Sequence, residues 1–435
     1  MGRLSRWAAA ALAAGAIGLV GAQDASAFDG FGEATADSTY GVEVGFEVEL
    51  LGDRPDRLEL LLRTPGSESS FVTPVEVTGG AVTYAWDTSV EHLTPNTLVT
   101  YQWRATEGEE VTLGPEQTVR YEDDRPGLDW QSEQLGETTV HWYGDAQEQA
   151  RRFGELTAVG VERAEELLGT RLAGPVDVFV YATRDDFFGA LGPGAREWTG
   201  AAAFSELRTI FMWLEGGSPA YLEVAMVHEV THIVFFDATT NAYHQPARWL
   251  NEGVATWSEI GDAGDQRSIV EFEASGGGLF SFEAITEQFP IGDRGSQLSY
   301  AQGTAMVDLI VDRFGPEAIA RIAAAYQDGA SDAAALEAGT GISAEELYAD
   351  FYAEFSVDPP EPIAPDPIGP SNVDRPPAGE VDPGGVDGGP SVPRPSTAPV
   401  EGDNPLPLVV LIGAGGIAVV GAAVLVARRA ARRAA

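Results

Sequence analysis

The stretch from Ser218 to Ile260 reads SPAYLEVAMVHEVTHIVFFDATTNAYHQPARWLNEGVATWSEI, and it contains two histidines separated by three residues. If this segment is a helix, His228 and His232 project from one face, where two imidazole rings can bind one metal ion. Zinc prefers nitrogen and oxygen ligands in a tetrahedral arrangement, and a catalytic zinc keeps one position for water. The stretch therefore predicts a helix that carries a zinc-hydrolase site.

A third ligand is needed, because two histidines do not complete a zinc site. Glu252 lies twenty residues beyond His232, on a second predicted helix that begins near Pro246 and offers Trp249 for packing. His244, twelve residues beyond His232, is the other candidate, but its spacing and the lack of a suitable glycine favour a loop position. Glu252 is therefore the leading candidate.

Glu229 follows the first histidine and lies about 100° around the helix from it. At an open zinc site such a carboxylate can accept a proton from water and later deliver it to the leaving amine. A surface carboxylate is the alternative, but the apolar neighbours of Glu229 argue against it, since an unpaired buried carboxylate is costly. The chain has only five histidines, so a structural or vestigial pair at this spacing is the less favoured interpretation.

HEVTH followed by WLNEG resembles the gluzincin metallopeptidases, and most closely their peptidase-MA-like domains, over about residues 176–355. The resemblance implies that His228, His232 and Glu252 bind Zn²⁺. It also implies that Glu259 hydrogen-bonds a ligating histidine, because the W-L-N-E-G-x-x-x-x-x-E form of the pattern places a carboxylate there. A solvated helix position for Glu259 is the alternative.

Tyr300-Ala301-Gln302-Gly303, which we place at the start of a helix, resembles the Y-x-x-G segment of the aminopeptidase branch. The resemblance implies that the Tyr300 hydroxyl stabilises the oxyanion, and a core tyrosine is the alternative. That branch also has a G-A-M-E-N strand, whose glutamate holds the amino terminus of the substrate. The comparable stretch from Gly200 to Phe204 reads GAAAF, so internal cleavage is as plausible as aminopeptidase activity.

The surrounding sequence, residues 130–356, predicts an α+β domain. Apolar alternation and helical periodicity define the predicted elements. The predicted strands are 138–143, 176–181, 201–204 and 209–214, and the predicted helices are 147–168, 185–191, 282–288, 300–314, 316–326, 332–337 and 344–355.

Residues 28–125 contain short alternating runs at 40–51, 57–63, 71–77, 81–86, 98–104 and 112–121. Turn residues separate these runs at the spacing of a β-sandwich. The run from Leu93 to Trp103 resembles the L-x-P-x-T…Y stretch of fibronectin type III domains, with two additional residues before the tyrosine. We therefore expect an immunoglobulin-like sandwich that acts as a spacer or docks a substrate.

The two ends of the chain indicate export and membrane anchoring. Residues 1–27 have a charged start, an apolar stretch and an A-x-A end, which predicts a cleaved signal peptide rather than an uncleaved anchor. Residues 357–407 are rich in Pro, Gly and Asp and predict a disordered linker. Residues 408–427 carry no charge and precede an arginine-rich tail at 428–435, which favours a transmembrane helix with a cytoplasmic tail over a buried soluble helix.

The composition excludes several classes of protein. The net charge is −41, and all 26 basic residues are arginine, so the acidic surface would repel nucleic acids. The chain has no cysteine, which excludes disulfides, cysteine ligands and a thiol nucleophile.

Together these observations predict a multi-domain protein in which an all-β immunoglobulin-like sandwich precedes an α+β zincin-like metallopeptidase domain, a disordered linker and one transmembrane helix. The predicted function is a zinc metallopeptidase at the cell membrane, with its catalytic domain extracytoplasmic, that acts on peptide or protein substrates with Glu229 as general base. The alternative is a cell-surface binding or adhesion protein with a structural or inactive zinc site. Hydrolysis of another amide or an ester would use the same residues, and the sequence does not indicate an oligomeric state.

Overall fold

The computed structural model describes residues 28–67, 69–77, 81–90, 92–192, 200–259, 264–290, 292–360, 410–413 and 416–419. The chain divides into two compact units, Met1–Leu93 with Thr97–Glu122 and Thr94–Asn96 with Asp123–Ala435. The predicted signal peptide, all but the first four residues of the predicted linker, and the basic tail lie outside the described residues. The Ser218–Ile260 stretch falls in the second unit.

The first unit consists of two antiparallel sheets that share one apolar core. The sheet orders are β1-β2-β5 and β4-β3-β6-β7, with β8 also paired to β6. Buried residues alternate along the strands, as in Val44, Phe46 and Val48, because successive side chains of a strand point to opposite faces. The strands are β1 (Phe28–Thr39), β2 (Glu43–Gly52), β3 (Arg57–Arg63), β4 (Phe71–Pro74), β5 (Ala81–Asp87), β6 (Leu98–Glu107), β7 (Glu110–Leu113) and β8 (Gln117–Arg120).

Two features of this unit differ from the sequence prediction. Strand β1 was not predicted, because its sequence FDGFGEATADST lacks a clear apolar alternation, yet it pairs with β2 along most of its length. The predicted strand at 112–121 is instead the end of β7 and all of β8, separated at Gly114 and Pro115. Proline cannot donate a backbone hydrogen bond to a strand ladder, which accounts for the break.

The second unit begins with a five-stranded sheet of order β12-β13-β11-β10-β9. The inner pairs β10–β11 and β11–β13 are parallel, and the edge strands β9 and β12 run antiparallel to their neighbours. Helix α1 connects β10 to β11, as a parallel pair requires. These elements are β9 (Gln131–Leu135), β10 (Thr138–Trp142), α1 (Gln147–Leu168), β11 (Val176–Tyr181), α2 (Arg184–Leu191), β12 (Ala201–Phe204) and β13 (Thr209–Trp213).

The rest of the second unit is helical. Helix α3 is buried on most sides, as its nearly continuous apolar sequence requires, and Ser218 caps it by accepting a hydrogen bond from the Tyr221 backbone N–H. Helix α4 begins at Arg248, close to the expected start near Pro246. The helices are α3 (Pro219–Thr239), α4 (Arg248–Ser258), α5 (Gly264–Ser275), α6 (Asp293–Phe314), α7 (Glu317–Gln327), α8 (Asp332–Thr340) and α9 (Ala344–Glu354).

Three helical predictions need correction. Residues 282–288 form only a 3-10 turn at Glu283–Ile285, the usual form of so short a segment, because the first turn of an α-helix is costly to nucleate. Helix α5 was not predicted, since its sequence is polar on most faces. Helix α6 begins at Asp293, so Tyr300 lies about two turns inside this helix rather than at its start.

The predicted transmembrane helix at 408–427 is not present in the described part of that segment. Strands β14 (Val410–Gly413) and β15 (Gly416–Val419) pair there as an antiparallel hairpin, and the other residues of the segment lie outside the described residues. A short apolar run has no polar period, so its sequence does not distinguish a helix from strands. Among the described residues, no helix combines the length and the apolar composition needed to cross a membrane.

Candidate metal centre

The two histidines of α3 face each other through their Nε2 atoms, which lie 3.1 Å apart. The i, i+4 spacing on one helix brings the two rings together, with centroids 4.8 Å apart. Both side chains are buried. The pair therefore presents two nitrogens to one point inside the protein.

Hydrogen bonds at the opposite ring nitrogens determine which atoms carry protons. The Nδ1 of His228 lies 2.9 Å from Glu259 Oε1, and the Nδ1 of His232 lies 2.9 Å from Asn251 Oδ1. Both partner oxygens are acceptors, so each Nδ1 donates a proton, and the Nε2 atoms are the nitrogens left for a metal ion. Two Nε2 lone pairs 3.1 Å apart would repel unless a proton or a metal cation lies between them.

Glu252 completes the cluster from helix α4. Its Oε2 lies 3.5 Å from the Nε2 atom of His228 and 3.5 Å from that of His232. The three ligand atoms lie within 4.8 Å of one another, and all three residues are buried. Two imidazoles and one carboxylate are the protein ligands of one class of catalytic zinc ion, whose fourth ligand is water. The residues therefore fit Zn²⁺.

Charge around the cluster favours a cation. Burial lowers the pKa of His228, but hydrogen bonds to the Glu252 and Glu259 carboxylates outweigh burial and raise this pKa to about 10. Burial raises the pKa of Glu252, but the nearby histidines hold it below the usual carboxyl range. The site therefore stabilises positive charge at the imidazole nitrogens and negative charge on Glu252.

A close crossing of α4 and α6 places Tyr300 beside the metal ligands. A Cβ atom added to Gly253 would lie 2.5 Å from the Gly303 carbonyl oxygen, and one added to Gly303 would overlap the Trp249 carbonyl. Only glycine fits at either position without separating the helices. Tyr300, about one turn before Gly303, consequently has its ring centroid 6.3 Å from that of His228.

Glu229 is buried beside the cluster but belongs to a different set of contacts. Its Oε2 accepts a hydrogen bond of 2.8 Å from the backbone N–H of Ala203 on the edge strand β12. Burial raises the pKa of Glu229, and the charges of His228 and His232 oppose that rise without cancelling it. Glu229 is therefore a carboxylate held next to the metal position and ready to accept a proton.

The Tyr300 hydroxyl is a proton donor at any physiological pH. Burial and the charge of Glu252 raise the pKa of Tyr300 well above its ordinary value. Burial also raises the pKa of Glu259, although the hydrogen bond to His228 opposes this rise. Both residues lie beside His228, Tyr300 through its ring and Glu259 through its hydrogen bond to Nδ1.

The structure thus brings together all six residues singled out in the sequence. His244 lies on the exposed loop between α3 and α4, outside the ligand cluster. Sequence reasoning missed Asn251, which orients His232, although it belongs to the WLNEG motif. It also missed the Ala203 N–H, because a backbone donor leaves no signal in the sequence. The six residues are His228, Glu229, His232, Glu252, Glu259 and Tyr300.

A histidine pair on a buried helix, a glutamate ligand on the next helix and an edge strand that holds a second glutamate define a zincin-like metallopeptidase domain. Residues 157–356 match the model of the Peptidase MA superfamily. This part of the chain is therefore a gluzincin-type domain of that superfamily.

Solved structures with low sequence identity are also similar. An M1 zinc metallopeptidase from Deinococcus radiodurans is 15% identical, with a TM-score of 0.33 over 75% of this chain and 92% of that chain. Yeast LTA4 hydrolase in complex with bestatin is 12% identical, with a TM-score of 0.33 over 76% of this chain and 66% of that chain. Similarity at this level does not extend the activities of those proteins to this chain. No curated protein sequence matches it.

Proposed function

We propose that this protein is a zinc-dependent peptidase in which His228, His232 and Glu252 hold the metal and Glu229 is the general base. The position of Glu229 carries the proposal. A structural zinc site is closed by its ligands and has no use for a further carboxylate. Here a buried glutamate is held beside the ligands by a hydrogen bond from Ala203, outside the ligand set itself.

Each residue has a distinct role in the proposed reaction. Bound zinc would supply Lewis-acid chemistry, which polarises a carbonyl group and lowers the pKa of water. Glu229 accepts the proton of the attacking water at its carboxylate and transfers it to the nitrogen of the leaving amine. The Tyr300 hydroxyl donates a hydrogen bond to the negative charge that develops on the carbonyl oxygen. Glu259 and Asn251 hold the imidazole rings in the orientation that the ligands need.

The substrate is proposed to be a peptide or protein cleaved internally. Residues 200–203 are small and supply no carboxylate next to Glu229, and Phe204 ends the strand, so β12 has no group that would bind a free amino terminus. A peptide bond far from the amino terminus of the substrate can then bind at the site as well as one next to it, because no contact to a free amino group is lost. Peptides blocked at the amino terminus should accordingly be cleaved as well as free ones.

Metal analysis and peptide digestion of the full chain test this function. We expect about one zinc ion per chain and hydrolysis of a peptide library, with activity lost on chelation and restored by zinc. Bound zinc without any hydrolysis would instead support a binding protein with a structural site. Ester and non-peptide amide substrates in the same assay distinguish a peptidase from a broader hydrolase.

For location, we propose that the catalytic domain is extracytoplasmic and attached to the cell membrane. The charge pattern of residues 1–27 supports export, and the uncharged segment 408–427 with its arginine-rich tail supports attachment. The full chain should sediment with membranes, and a chain that ends at residue 356 should be released. Recovery of the full chain in the soluble fraction would contradict attachment.

The first unit is proposed to be an immunoglobulin-like sandwich that positions the catalytic domain or docks a substrate. Its two sheets and shared core support this assignment. Deletion of residues 28–93 and 97–122, which keeps Thr94–Asn96 of the second unit, should leave cleavage of short peptides intact and lower cleavage of large protein substrates. Equal loss on both substrate classes would contradict a docking role.

A further inference from the structure

Arg248, in the second unit, has a mostly buried side chain close to the metal ligand Glu252, and the proposed reaction gives this arginine no role. It is the first residue of α4, and its backbone N–H donates to the Thr286 carbonyl at 2.7 Å, which holds the residue in place. The side chain is only 18% exposed, although arginine is rarely buried unless it is paired. It stands one helical turn before Glu252.

The contacts of the guanidinium leave most of its hydrogen-bond donors unused. The Cζ atom of Arg248 lies over the Phe289 ring, 5.3 Å from its centre. A contact with the face of the guanidinium does not use its N–H groups, because these lie in the guanidinium plane. Its Nη2 is 3.7 Å from Glu252 Oε1, which is longer than a hydrogen bond. Its buried Nε has no hydrogen-bond partner among the described residues. The guanidinium therefore lacks the hydrogen-bonded acceptor that a mostly buried arginine usually has.

A cavity connects this guanidinium to the metal centre. It has a volume of about 630 Å³, and its lining includes Arg248, His232 and Asn251. The lining also contains three carboxylates. Glu206 and Glu287 are exposed to solvent, and Asp332 accepts a hydrogen bond from Tyr326. Arg248 is thus the partly buried cation that a ligand in this cavity meets near the metal ligands.

The distance suits a group close to the scissile bond. The histidine nitrogens lie 3.5 Å from one oxygen of Glu252, and Arg248 lies 3.7 Å from the other. With the width of the carboxylate added, the two contacts span at most about three residues of extended chain, at about 3.3–3.6 Å each. A group on a residue next to the cleaved bond can therefore reach the guanidinium.

We propose that Arg248 binds a carboxylate of the substrate, close to the scissile bond. A planar guanidinium with free N–H donors matches the two oxygens of a carboxylate. The carboxylate could come from an aspartate or glutamate side chain beside the cleaved bond or from the carboxyl terminus of the peptide. The inference rests on the proposed peptidase function, which it makes more specific.

Paired substrates test this inference on the full, zinc-loaded chain. A cleaved peptide from the library is remade with Asp or Asn, and with Glu or Gln, on either side of the cleaved bond. A second pair ends one residue after that bond, with a free or an amidated carboxyl terminus. We expect the carboxylate member of one pair to have a kcat/KM about 10- to 100-fold higher in the wild type. This ratio should fall to about 1 in Arg248→Gln and be intermediate in Arg248→Lys, while Arg152→Gln on the exposed face of α1 keeps the wild-type ratio.

Three results would overturn the inference. The wild type could fail to discriminate within any pair, or Arg248→Gln could keep the wild-type ratio. Arg248→Gln could also lose activity equally on all peptides and lose zinc, which would mean that Arg248 only orients Glu252. The pair that shows the discrimination identifies whether the carboxylate is a side chain or a chain terminus.

If no peptide is cleaved, the proposed peptidase function fails, but the carboxylate subsite can still be tested by a binding measurement. Calorimetry with N-acetyl-glutamate amide against N-acetyl-glutamine amide tests the side chain. N-acetyl-phenylalanine against its amide tests the terminus. The carboxylate probe of one pair should bind the wild type at least about 10-fold more tightly than Arg248→Gln. Equal binding to both proteins would refute the subsite.

Discussion

Glu59 in the first unit and Glu229 in the second are both almost fully buried, but their surroundings differ. Glu59 forms ion pairs with Arg57 and Arg104, and the hydrogen bond from Arg104 is the main reason why the pKa of Glu59 is lowered. Glu229 has no arginine partner among the described residues, and burial raises its pKa. Glu59 is therefore a stabilised anion, whereas Glu229 is held ready to take up a proton. We infer from this comparison that Glu59 stabilises the fold of the first unit, whereas Glu229 takes part in the proposed reaction.

Removal of a metal ligand should give the largest effect in the second unit. His232→Ala takes away one of the three ligand atoms, so we expect loss of bound zinc and of all measurable activity. His244→Ala is the matched control, because this exposed histidine lies outside the ligand cluster. Metal content by mass spectrometry should be about one zinc per chain in the control and near zero in His232→Ala. Loss of zinc from the control instead would mean that His244 is a ligand.

Tyr300→Phe should have the next largest effect. The change removes only the buried hydroxyl, which has no hydrogen-bond partner among the described residues, so kcat should fall by about 10²- to 10³-fold while zinc stays bound. Tyr352→Phe removes a buried hydroxyl that donates to the Phe280 carbonyl in the same unit, and it should leave kcat unchanged. Steady-state kinetics on one peptide compares the two variants. Wild-type kcat in Tyr300→Phe would show that Tyr300 only packs in the core.

Glu259→Gln should weaken the metal site without destroying it. Glu259 accepts the hydrogen bond from His228 Nδ1, and outer hydrogen bonds of this kind contribute about 10- to 100-fold to metal affinity. Competition with a chelator measures the change in zinc affinity. An unchanged affinity would mean that the hydrogen bond from His228 to Glu259 does not contribute to zinc binding.

Glu59→Gln should have the smallest effect on activity and a measurable effect on stability. Loss of the charged hydrogen bond to Arg104 should lower the free energy of unfolding of the first unit by about 1.5–3 kcal/mol. The pKa of Glu59 is lowered by folding, so its contribution is present above the unfolded pKa of about 4.3 and is lost as the pH falls. Urea unfolding should show a smaller difference between variant and wild type at pH 3 than at pH 7, because the contribution is lost as the pH falls toward the lowered pKa of the folded state. A loss of peptide cleavage would contradict the separation of roles.

The ligand set could be predicted from the sequence because the chemistry of a metal site restricts its residues to a few types at fixed spacings. His228 and His232 lie on one helix, so their spacing alone places them together. Glu252 was the leading candidate from its position on the next predicted helix and became specific through a resemblance, and Tyr300 depended on the resemblance alone, since the crossing of α4 and α6 is a tertiary feature. Gly253 and Gly303 explain that crossing only once the helices are seen in contact.

Other parts of the structure could not be predicted, for specific physical reasons. Strand β1 lacks apolar alternation and takes its conformation from pairing with β2. Helix α5 has a weak periodicity and forms within the second unit. Arg248 carries an ordinary surface-type side chain, and its partial burial becomes evident only when Phe289 and Glu252 are placed around it.

Zinc content and turnover of Glu229→Gln, measured together, test the central claim most directly. This variant keeps all three ligands and the shape of the side chain but removes the proton acceptor. We predict about one zinc per chain and a kcat lowered by about 10²- to 10⁴-fold. Glu223→Gln, on an exposed position of the same helix, should match the wild type in both measurements. A Glu229→Gln protein that binds zinc and cleaves peptides at the wild-type rate would contradict the account.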